Sequence, residues 1–280
     1  PYSFPIKRCL CIIGSDYKSY NLVRVATGNY SDGLVKQDHA YLVAGVKPQN
    51  SEKPYGYHAD QRCYWANVHR AHSGRHGIVN SYESYENIRR FLFGNIKAEI
   101  YLDNLKILTK KEGNIDYSYD FEFLFSIRES NAYLHRVEQQ ECENALRLKR
   151  GEVPGRLFLH TGFMNSQLKE PDADFSRFYF EFRIIERRVE DGLIWDTEYP
   201  HRPIYQESVE IRVGDIDKDN PGNEADYRWL SEGDKWRRLD PEDPDAKEKV
   251  FRFPLRKAAS VKGDVLIVVS HWPDTALTQD

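Results

Sequence analysis

Two textures of hydrophobic and polar residues divide the chain. In the first 95 residues the apolar positions come as short unbroken runs, RCLCIIG at residues 8–14 and RCYWANV at residues 62–68. Such runs predict strands buried on both faces, as in a parallel sheet. Between residues 78 and 94 the period changes. Tyr82, Tyr85, Ile88 and Leu92 recur at helical spacing, Asn80 and Glu83 fit a capping box, and Arg89, Arg90 and Gly94 suit a helix end. This predicts an amphipathic helix with its apolar stripe turned inward.

From residue 97 onward the segments FEFLFSI (121–127), FYFEFRI (178–184), SVEIRV (208–213), VFRFPL (250–255) and VLIVV (265–269) are aromatic or β-branched, and many alternate with polar residues. That pattern predicts antiparallel strands with one wet face. One helical insertion is expected at residues 137–149 (VEQQECENALRLK). The expected architecture is α/β over residues 1–95, then an all-β, sandwich-like domain over residues 97–280. Two parallel strands alone cannot bury both faces, so residues 1–95 are expected to dock against more sheet.

Charge sharpens the division. Residues 1–95 carry 12 Lys and Arg against 7 Asp and Glu, net +5, and residues 96–280 carry 28 against 37, net −9. Neither part has the clustered basic residues with interleaved aromatics that a nucleic-acid partner requires. No window has the 18 or so apolar residues of a membrane span, and no secretory signal is visible. The four cysteines, Cys9, Cys11, Cys63 and Cys142, sit in apolar settings and read as reduced core thiols, favouring a cytoplasmic compartment.

Candidate chemistry collects in two polar turns of the first part. One is NYSDGLV at residues 29–35, and the other is HRAHSGRHGIV at residues 69–79, between the second run and the helix. An acid after one strand and a histidine after the next follow the order in which α/β enzymes present an orienting carboxylate and a general base. Asp16, close behind the first run, is the alternative acid. Three histidines within eight residues also raise a zinc site. However, the His72–His76 spacing lacks the glutamate of H-E-x-x-H, and Gly74 and Gly77 oppose a helix there.

The stretches SDGLVKQDHAYL and VHRAHSGRHGIVNSYESYENIRRFLFGN resemble the C-terminal end of a lipase- or esterase-type α/β-hydrolase over roughly residues 5–95. The resemblance implies that Asp32 is the triad acid and His72 the base, with His76 second and His69 third. It also implies a carboxylic ester or lipid substrate. A nucleophile elbow, G-x-S-x-G, is absent from all 280 residues, and Ser73 lacks the first glycine. The serine and the N-terminal half of the hydrolase are therefore expected upstream or on another chain, and the opening Pro1-Tyr2-Ser3-Phe4-Pro5 fits a fragment or processed piece. The alternative is a non-catalytic β-sandwich binding module attached to a degenerate or incomplete hydrolase domain.

In the second part Asp215, Asp217 and Asp219 begin like a calcium loop. Carboxylates at alternate positions converge on a hard cation, but the sixth position is Asn220 rather than glycine and the twelfth is Asp226 rather than glutamate. A solvated acidic hairpin loop is the competing reading.

Overall fold

A computed structural model of the chain describes residues 5–18, 31–42, 62–108, 116–168, 175–190, 197–198, 202–214 and 224–273. The two apolar runs of the first part form β1 (Leu10–Gly14) and β2 (Tyr64–Val68), which pair in parallel with Leu10 opposite Tyr64 and Gly14 opposite Val68. Helix α1 (Tyr82–Phe93) follows. Apart from short 3-10 turns, the further elements are strands: β3 (Ile96–Ile107), β4 (Asp116–Ile127), β5 (His135–Val137), β6 (Leu146–Lys149), β7 (Leu157–Met164), β8 (Phe175–Glu190), β9 (Thr197–Glu198), β10 (Arg202–Gly214), β11 (Ala225–Trp229), β12 (Arg237–Leu239), β13 (Lys249–Pro254) and β14 (Val261–His271).

These later strands build two antiparallel sheets. The larger runs β12-β11-β10-β8-β4-β5, with β6 added to β4 and β9 to β8; the smaller runs β13-β14-β3-β7. Their facing sides share one core. Phe178, Phe180, Phe182 and Ile184 of β8 are buried, while Arg177, Tyr179, Glu181 and Arg183 between them are partly exposed, the period-two pattern of a strand with one dry face. Ile100 and Leu102 of β3 and Val265, Ile267 and Val269 of β14 complete the core from the other sheet.

The expected α/β class is therefore overturned: the structure is predominantly antiparallel β with a single α-helix among the described residues. The parallel pairing of β1 with β2 exists, but the described sheet stops at two strands. Its cover comes from the antiparallel strands of the same chain, with β2 packed on β5 and β7. Tyr64 of β2, Phe91 of α1, Phe163 of β7 and Trp272 after β14 form a satellite aromatic core at this junction.

Two local expectations also change. In α1 the stripe of Tyr82, Tyr85, Ile88 and Leu92 faces outward, whereas Ser84, Glu86, Arg90 and Phe91 are buried. Polar anchoring sets this orientation. Arg90 Nε donates to Glu86 Oε2 at 3.2 Å, and Asn87 Nδ2 donates to the carbonyl oxygen of Leu134 at 2.7 Å. The helix is capped by Ser81, which accepts from the Ser84 backbone N–H at 3.2 Å, and not by Asn80. Glu83 instead holds Arg70 through two guanidinium nitrogens. The helix expected at residues 137–149 is absent: β5 ends at Val137, and β6 begins at Leu146. Asn144 causes this, accepting from the Glu138 backbone N–H at 2.8 Å and donating to the Arg136 carbonyl at 3.1 Å, which fastens the segment as a loop.

Candidate active site

The loop carrying Asp32 is a turn held by its own aspartate. Asp32 Oδ1 accepts the backbone N–H groups of Leu34 at 3.0 Å and Val35 at 2.7 Å, while the Asp32 N–H donates to the Val35 carbonyl at 3.2 Å. The turn requires a left-handed residue, which Gly33 supplies with a φ of 98°. These bonds occupy one carboxylate oxygen and leave Oδ2 for another partner.

Close approach of this loop to the end of β1 depends on Gly14. A Cβ there would stand 2.5 Å from the Arg70 carbonyl oxygen and 2.8 Å from Asp32 Cβ. Glycine at the end of the first run thus lets the acid loop and the histidine loop converge. The histidine loop is stitched across its neck by Ile78 N–H to the Ala71 carbonyl at 2.9 Å, and by Ala71 N–H to the His76 carbonyl at 3.3 Å. The Arg70–Glu83 pair fastens the same loop to α1.

Convergence brings Asp32 and His72 into contact twice. The His72 backbone N–H donates to the Asp32 carbonyl oxygen at 2.9 Å, and its ring Nδ1 lies 2.9 Å from Asp32 Oδ2. A carboxylate only accepts, so Nδ1 carries the proton and Nε2 is the basic nitrogen of the neutral ring. The Asp32 side chain is 6% exposed and that of His72 is 40% exposed. A buried acceptor thus orients a partly exposed imidazole.

The other sequence candidates do not join this pair. His76 is exposed and contributes its carbonyl to the loop neck. Asp16 Oδ1 accepts the Lys18 N–H at 3.1 Å, and the Asp16 N–H donates to the Arg70 carbonyl, bracing β1 against the histidine loop. His69 belongs to a second cluster, with Nδ1 3.4 Å from Ser15 Oγ and 3.6 Å from Cys142 Sγ. Burial pushes the Cys142 thiol up to about 12, so this contact does not make an activated thiolate. Ser73 is exposed at the tip of the histidine loop.

Among the described residues, no group of three or more His, Cys, Asp or Glu is placed to hold a metal ion. Asp215, Asp217 and Asp219 lie outside the described residues. Sequence reasoning missed Gly14, Arg70 and Glu83 as parts of the site. Gly14 was visible as the glycine ending the first run, but the Arg70–Glu83 pairing depends on how α1 is set against the loop. The chain matches no protein-family model, no curated protein and no solved structure.

Proposed function

We propose that Asp32 and His72 are the acid and base of a serine hydrolase of carboxylic esters, lipids among them, whose attacking serine lies outside this chain. The observation that carries this reading is the 2.9 Å contact of the partly exposed His72 ring, through Nδ1, with the buried Asp32 Oδ2. Such a pair has one chemical use that an isolated surface histidine lacks. The carboxylate fixes the tautomer and stabilises the imidazolium that forms, so Nε2 takes a proton from a hydroxyl and later returns it to the leaving alcohol. The reading does not rest on the overall fold, because this constellation recurs on unrelated folds and is defined by geometry and roles.

Chemical balance assigns the remaining parts. The serine oxygen attacks the ester carbonyl as its proton passes to His72 Nε2. The alkoxide leaves with that proton, and water repeats the sequence on the acyl-enzyme. Backbone N–H donors for the tetrahedral oxyanion come with the serine segment.

Labelling of a protein holding both this chain and the serine segment with a fluorophosphonate probe tests the reading. Labelling by His72→Ala should fall by about 10³-fold or more, while His76→Ala should label as wild type. Undiminished labelling of His72→Ala removes His72 from the base role.

A further inference from the structure

Cys11 in β1 and Cys63 just before β2 face each other across the parallel pair. The Cys63 thiol donates to Cys11 Sγ at 3.3 Å, and the Leu42 backbone N–H donates to Cys63 Sγ at 3.3 Å. Backbone bonds hold them there: Cys63 N–H donates to the Leu42 carbonyl at 3.0 Å, and Tyr64 N–H to the Cys9 carbonyl at 3.1 Å. Their accessibility differs, since Cys11 is half-buried and Cys63 is buried. The sulfur of Cys11 is an acceptor from the neighbouring thiol, the environment that favours thiolate over thiol.

We propose that Cys11 and Cys63 are a thiol–disulfide exchange site for small disulfides, with Cys11 as the attacking sulfur and Cys63 as the resolving one. The Cys11 thiolate attacks one sulfur of the small disulfide, forming a mixed disulfide and releasing one small thiolate. Cys63, losing its proton to solvent, attacks Cys11 Sγ, forming the intramolecular bond and releasing the second small thiolate. Two protein thiols are oxidised and one small disulfide is reduced to two thiols, so atoms and electrons balance. The sulfurs close from 3.3 Å to a bond of about 2.05 Å.

The division of labour follows from the surroundings. The hydrogen bond from Cys63 holds the Cys11 thiol below its ordinary value against the opposing effect of burial. The same hydrogen bond, with burial, holds Cys63 in the protonated form. Cys9 is pushed up by burial and by the charge of Cys11, which makes it the poorer nucleophile of the two on β1. Cys142 lies apart, beside His69 and Glu138. The proposal is independent of the hydrolase reading, since neither sulfur touches Asp32 or His72.

Incubation of the reduced full chain with excess oxidised glutathione, followed by alkylation and peptide mapping, tests it. The expected product joins the Cys11 and Cys63 peptides with a loss of about 2 Da, leaving Cys9 and Cys142 alkylated. Cys63→Ser should stop at a Cys11–glutathione adduct, a gain of about 305 Da; Cys11→Ser should form neither product, and Cys9→Ser should crosslink as wild type. In untreated wild type, iodoacetamide should alkylate Cys11 about tenfold or more faster than Cys9 at neutral pH. A wild-type crosslink through Cys9, or Cys11 left as a free thiol in excess oxidised glutathione, overturns the proposal.

Discussion

The indole N–H of Trp272 donates to the carbonyl oxygen of Phe91 at 2.7 Å, joining the residue after β14 to the last turn of α1. The same indole packs on Tyr64, Phe91 and Phe163 with ring centroids 5.4, 5.3 and 4.8 Å away. One side chain thus fastens the helix, the parallel pair and the smaller antiparallel sheet together.

Removing that side chain should loosen the junction before the rest of the molecule. Trp272→Ala is expected to cost about 3–5 kcal/mol of stability, the range for emptying a buried aromatic site. Trp272→Phe keeps a ring but leaves the Phe91 carbonyl without its donor, and should cost about 1–3 kcal/mol. Urea unfolding measures both, and hydrogen exchange in α1 should rise more than exchange in β8.

Beneath α1, Arg90 and Glu86 are both buried and share a hydrogen bond. Glu86→Ala leaves a buried guanidinium without its nearest carboxylate and should cost about 3–5 kcal/mol. Tyr85→Ser and Leu92→Ser, on the outward stripe, should each change stability by no more than about 0.5 kcal/mol. A reversed ranking in denaturant melts would mean that the helix buries its apolar face.

Asp32→Asn tests the proposed acid without emptying the loop, because the amide oxygen still accepts the Leu34 and Val35 N–H groups. The amide nitrogen facing His72 Nδ1 would favour the wrong tautomer. Esterase turnover of the serine-containing protein should fall about 10³–10⁴-fold with little change in KM, as read from steady-state kinetics.

Buried histidines should give the fold an acid limb. His135 Nδ1 accepts the Asn67 backbone N–H at 3.1 Å, and burial lowers its pKa from 6.5 to about 3. His160, stacked on it at 4.0 Å, is lowered by burial and then by His135. Between those values the unfolded chain binds the proton and the native chain does not. The stabilisation from His135 is therefore complete above about pH 6.5 and declines as pH falls toward about 3, by about 1.4 kcal/mol per pH unit. His135→Gln should reduce the slope of stability against pH between about pH 4 and 5.5 by about one proton, measured by urea unfolding.

What could be read from the chain alone depended on the range of the interaction. Asp32 and His72 sit in short turns whose glycines and backbone-capping carboxylate are local, so their residue types announce the turns. What covers the parallel pair was not legible, because an unbroken apolar run such as residues 8–14 reads the same whether further parallel strands or an antiparallel sheet of the same chain lies on it. The orientation of α1 was hidden for a different reason. Hydrophobic periodicity treats Glu86 and Arg90 as surface residues, whereas their pairing lets them occupy the interior. The contact between Cys11 and Cys63 spans 52 residues and depends on strand register, which no local pattern encodes.

The bond from Trp272 to Phe91 also has a consequence in time. The two residues are separated by 181 positions, so at ribosomal rates of about 5–20 residues per second roughly 10–40 s pass between their synthesis. During that interval α1 and the aromatic faces of Tyr64 and Phe163 lack their final cover on a chain still being made. Trp272 therefore acts as a late clasp, and the nascent protein depends on not meeting another apolar surface before it closes.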